Sequence, residues 1–181
     1  LLAAREESCW PLVTLVIDRS VRLAPFGWHA VKHPKSAIAL HHTVGGTAIS
    51  SINWWNADPA IVGTAYVIDR DGHIYETFPP EEWAWHAGIG NESFDQRTIG
   101  IEIASYGALT EKTGNLFAFD GRQCLGKTSE LVKTGTVVDL ETPWRGVRYF
   151  AAYTPEQTAA AIALTVQLCE QFGIPKTLSA E

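Results

Sequence analysis

Residues 36–43 read S-A-I-A-L-H-H-T, and the rest of the chain is organised around them. They follow Pro34-Lys35, alternate small and aliphatic side chains, and stop at two adjacent histidines before Thr43 and a Gly45-Gly46 turn. This is how a β-strand delivers its last side chains to the rim of a sheet. Successive side chains point to opposite faces, so Ala37, Ala39 and His41 share one face while Ile38, Leu40 and His42 share the other. His41 emerges above small residues, free to meet a ligand. An isolated His-His pair is also an ordinary strand end, so its meaning depends on what stands beside it.

A second strand is also informative. Thr98–Ser105 reads T-I-G-I-E-I-A-S, which puts Ile99, Ile101 and Ile103 on one face and Gly100, Glu102 and Ala104 on the other. A carboxylate between two small residues is a costly choice for a purely structural strand position. Glu102 is therefore either a glutamate on an uncovered, solvated face or a pocket acid or base.

At 181 residues, 46% hydrophobic and 19% charged, the chain suits one domain with a real core. No run of about 18 apolar residues is present, so no membrane span is expected, and the start L-L-A-A-R-E-E-S lacks the order of a secretion signal. A net charge of -6 without a Lys/Arg cluster argues against a nucleic-acid partner. Cys9, Cys124 and Cys169 fit neither a CxxC metal site nor a disulfide framework. The absence of methionine suggests a processed piece of something longer.

Residues 1–35 read as a wrap over the core. Ile49, Ile52 and Trp55 are at helical spacing after the glycine turn, and Asp58-Pro59 closes that helix. Tyr66-Val67-Ile68 and His73–Phe78 flank an Asp71-Gly72 hairpin turn. An aromatic loop, Trp83-Ala84-Trp85-His86-Ala87-Gly88, precedes the Glu102 strand. Residues 106–153 read as an excursion with small hairpins of its own, long enough to be a binding or lid element. A long helix over 154–173 closes the chain, with Thr154 as N-cap, Pro155 at its first position, Gln157 completing a capping box and Gly173 as the stop. Its apolar stripe should lie on the isoleucine face of the sheet.

His41-His42-Thr43, Tyr66–Gly72, the Trp83–Gly88 loop and Ile99–Ile103 stand in one order over residues 36–105. Together they resemble the zinc-dependent N-acetylmuramoyl-L-alanine amidases, a family that includes cell-wall recycling amidases, phage lysozyme-like amidases and peptidoglycan recognition proteins. The resemblance implies an α/β fold with a mixed central sheet flanked by helices. It also implies a zinc at one rim and hydrolysis of the amide between N-acetylmuramic acid and L-alanine of peptidoglycan. Carried over, His41 is a zinc ligand and Glu102 the catalytic carboxylate that activates water. Trp85 and His86 line the substrate groove, with aromatic core as the plainer reading of both. Thr64 stands where other members have a catalytic tyrosine, which suits a glutamate-dependent enzyme.

The partner so implied is peptidoglycan or a muropeptide, and the setting a bacterial or phage protein acting at the cell wall or outside the cell. The alternative is a non-catalytic peptidoglycan-binding module on the same fold. A catalytic zinc takes three protein ligands, yet only His41 matches a family ligand; the family's others follow the long helix. The expectation is a single amidase-like domain truncated at its C-terminus, its remaining ligands beyond residue 181. Oligomeric state is not legible.

Overall fold

We describe residues 15–178, from a computed structural model. The central sheet comprises β1 (Ile17–Asp18), β2 (Ala37–His42), β3 (Tyr66–Ile68), β4 (Ile74–Glu76) and β5 (Thr98–Ile103), in the order β1-β4-β3-β5-β2. It is mixed, as expected: β2 and β3 both run parallel to β5, β1 runs parallel to β4, and the hairpin β3–β4 is antiparallel. The hairpin turns where Asp71-Gly72 placed it, with Gly72 at φ 82°, a conformation a side chain would resist.

Two helices connect these strands. In α1 (Ala48–Ala57) the Thr47 hydroxyl accepts from the Ser50 amide, and Ala48, Ile52 and Trp55 are buried. The short α2 (Glu92–Arg97), capped by Asn91, delivers the chain directly into β5. α2 leaves no periodic signal in the sequence, because six residues are too few to show one. Within the expected wrap of residues 1–35, Ile17–Asp18 pairs with Ile74–Tyr75 as an edge strand. Residues 1–14 lie outside the described part.

Residues 106–153 do more than carry small hairpins. β6 (Ala108–Lys112), β7 (Asn115–Ala118), β8 (Gln123–Lys127), β9 (Val137–Trp144) and β10 (Val147–Ala151) form one antiparallel sheet in the order β8-β7-β6-β10-β9, with α3 (Thr128–Lys133) beside it. Leu109, Leu116, Ala118, Val137 and Tyr149 give it a core of its own, separate from the main one.

The closing helix α4 (Pro155–Phe172) has the capping box, the proline start and a left-handed Gly173 stop at φ 67°. Its buried Ala161, Leu164, Leu168 and Cys169 belong to the same core as Ile99, Ile101 and Ile103, as the apolar stripe demanded. Gln157 does double service. Its carbonyl oxygen accepts from the Thr154 amide while its amide donates to Ala104 O at 2.8 Å, tying the helix start to the end of β5. β2 is the opposite edge of the sheet, and Leu40 on it is 57% exposed.

Candidate active site

In the parallel pair β2–β5, His41 is the register partner of Glu102 and Ala39 that of Gly100. Register partners share a face, so the imidazole and the carboxylate rise side by side from the small-residue side of the sheet. The Glu102 carboxyl is largely buried, and its Oε2 has no hydrogen-bond partner among the described residues. Burial pushes it up to about 8, because nothing compensates the charge for lost water. Tyr153, just before α4, is raised too, first by burial and then by the Glu102 charge.

Thr64 and His86 cover this face beside Gly100. A Cβ added at Gly100 would stand 2.8 Å from Thr64 Cγ2 and 3.1 Å from His86 Cγ, so only glycine leaves room for the imidazole. His42 goes the other way, and its ring lies against the bare α-carbon of Gly107 at the start of the insertion.

The structure relocates one expected binding residue. His86 is not offered to a groove: its side chain is 3% exposed, and both ring nitrogens have partners inside the protein. Its Nδ1 lies 3.0 Å from His41 Nε2, and its Nε2 lies 2.9 Å from Thr98 Oγ1 and 3.5 Å from Asp95 Oδ1. Burial drives the His86 imidazole well down, to about 4, and lowers His41 as well, so both rings are neutral near pH 7. Trp85 faces differently, with its indole edge-on to Trp83 at 5.4 Å and Trp83 stacked in turn on His29 at 4.0 Å.

Asp95 and Thr98 were not singled out from the sequence. Asp95 comes from α2 and accepts the His86 and Ala87 amides through Oδ1, each at 2.9 Å, with a fully buried side chain. Asn91, a capping residue three positions before the Phe94 amide it holds, was the available signal for α2 and hence for Asp95. The frame is held by Lys35, whose buried ammonium donates to the carbonyls of Glu82, Gln96 and Thr98 at 2.9, 2.7 and 3.2 Å.

Whether these residues suit a resident zinc is answered by their donors. Among the described residues no group of three His, Cys, Asp or Glu side chains converges to hold a metal ion. His41 offers one nitrogen and Glu102 one unpartnered oxygen. That set is short of the three ligands of a catalytic zinc, so no chemical step is derived through the metal.

The Glu102 environment predicts a pH signature in metal-free protein. A carboxyl with a folded pKa above its unfolded value binds more protons when folded, so its cost is absent below about 4.5 and complete above about 8. The stability of wild type relative to Glu102→Gln should therefore fall as pH rises through that window, by a few kcal/mol at most. Urea titrations of both proteins across pH, with chelator present, check it. A pH-independent difference would place the carboxyl in water.

A family model described as N-acetylmuramoyl-L-alanine amidase matches residues 31–179. No curated protein sequence matches the chain. Among solved structures, PlyL is similar at a TM-score of 0.53 and 14% identity, over 89% of this chain and 77% of that one. The PlyG catalytic domain is similar at 0.53 and 16%, over 89% and 74%. AmiD from E. coli, in complex with its substrate anhydro-N-acetylmuramic acid-L-Ala-D-gamma-Glu-L-Lys, is similar at 0.51 and 21%; the match covers 81% of this chain but only 47% of AmiD. At these identities the likeness is one of fold.

Proposed function

Because the chain belongs to the N-acetylmuramoyl-L-alanine amidase family, we propose that it hydrolyses the amide between N-acetylmuramic acid and L-alanine of peptidoglycan, with Glu102 as the proton-transfer group. The observation that carries this reading is the His41–Glu102 register pair, whose buried carboxyl oxygen has no partner among the described residues. A structural glutamate in that position would have a hydrogen-bond donor. A carboxyl that exchanges its proton near neutrality suits a group that first accepts and then returns one. In hydrolysis, water adds to the lactyl carbonyl carbon as Glu102 takes its proton. The C–N bond then breaks, and the proton passes from Glu102 to the departing alanine nitrogen.

Zinc enters as the cofactor that family resemblance implies, and its one described donor is His41. When bound, such an ion polarises the carbonyl and lowers the pKa of water. With one imidazole donor, this 181-residue chain is expected to bind zinc weakly, well short of one ion per chain at micromolar metal. Equilibrium dialysis followed by metal analysis decides it. Tight stoichiometric binding would mean that other side chains complete the site. The shortage of donors among the described residues also favours a second reading, a peptidoglycan-binding module without catalysis. Release of free stem peptide from a muropeptide by the protein separates the two.

Trp85 is assigned to the substrate groove because, unlike the His86 side chain, it is partly exposed, at the edge of the Trp83 ring in the aromatic loop. Its replacement by alanine is expected to raise KM more than it lowers kcat, since a groove wall contributes alike to ground and transition states. A fall in kcat at fixed KM would take Trp85 out of the groove.

A further inference from the structure

The hydrogen bonds behind His41 have a direction, and it can be read from the one end of the chain that can only accept, the Phe94 carbonyl. The Thr98 hydroxyl lies 2.8 Å from the Phe94 carbonyl, which can only accept, so the hydroxyl hydrogen goes there. Thr98 Oγ1 must then accept across its 2.9 Å contact with His86, which puts the His86 proton on Nε2. Asp95 favours the same choice, since its Oδ1 stands 3.5 Å from that nitrogen. A neutral His86 protonated on Nε2 has a lone pair on Nδ1, and the 3.0 Å contact therefore takes its proton from His41 Nε2. His41 is left with a bare Nδ1.

The geometry assigns His86, backed by Thr98 and Asp95, as the positioning residue that holds the His41 proton on Nε2 and presents Nδ1 as the free donor atom. Gly100 makes the arrangement possible, because any Cβ there would press on Thr64 and the His86 ring. The reversed chain would face the Thr98 oxygen toward Phe94 O with no hydrogen between them and turn a His86 lone pair toward the Asp95 carboxylate. Both contacts are repulsive at these distances. Outer groups that fix a histidine's tautomer and ring orientation also set which nitrogen an electrophile meets. The assignment rests on the proposed role of His41, but its test does not need activity.

The test is NMR on the metal-free chain labelled with ¹⁵N-histidine, near pH 8, where burial keeps both rings neutral. A coupling across the hydrogen bond should connect His41 Nε2 to His86 Nδ1, with the bridging proton showing its one-bond coupling to His41 Nε2 only. Thr98→Val removes the acceptor, and a detectable fraction of the bridging proton should then show its one-bond coupling to His86 Nδ1. Thr98→Ser should restore the wild-type pattern. A bridging proton on His86 in wild type, no coupling between the rings, or a Val variant identical to wild type would each overturn the assignment. Loss of amidase activity with the wild-type coupling intact would instead count against the proposed function alone.

Discussion

Glu102→Gln is expected to lower muropeptide turnover about a hundredfold or more, with the fold intact, because it removes a proton acceptor and little else. The amide is close in shape to the carboxylic acid that burial already favours at this position. Glutamine also adds no charge to a face whose neighbours are Gly100, Ala104 and neutral imidazoles. The loss should therefore appear in kcat and kcat/KM together, the pattern of an interaction made in the transition state. Circular dichroism and thermal unfolding would establish that the variant is folded. Turnover at the wild-type rate would remove Glu102 from the chemistry.

Leu164→Ala is expected to cost about 3 kcal/mol of stability. Leu164 is fully buried on α4 and belongs to the core that holds the three isoleucines of β5. Truncation leaves a cavity against a β-sheet, which collapses poorly because its strands are held by their ladder. The same strand carries Glu102 on its other face, so a loosened seam should reach the site as well. Denaturant unfolding measures the loss. A change under about 1 kcal/mol would mean that α4 is not seated on the isoleucine face.

The strands and the long helix were legible because their signals are local. Thr154-Pro155 and Gln157 mark a helix start without reference to anything distant, and Asp71-Gly72 marks a turn in the same way. Two independent alternations put His41 and Glu102 each on a small-residue face of its own strand, but their pairing rests on the β2–β5 register, which neither strand's sequence carries. The link from His86 to His41 was not legible, since nothing in Trp85-His86-Ala87 says which side of the loop turns inward. That is settled by Gly100, Thr98 and Asp95, which reach His86 from β5 and α2 and leave it no exposed nitrogen. The insertion was half legible. Its hairpins show in Val137–Leu140 and Val147–Phe150, but their closure into one sheet depends on the pairing of β6 with β10, about forty residues apart.

The central claim is that the His41–Glu102 face is the working centre of a muramoyl-alanine amidase. Mass spectrometry of a defined muropeptide incubated with the protein tests it most directly. The account predicts one cut, leaving a free lactyl carboxyl on the sugar and a free L-alanine amine on the peptide, and its disappearance in both His41→Ala and Glu102→Gln. A muropeptide that stays intact, or is cut at any other bond, would contradict it.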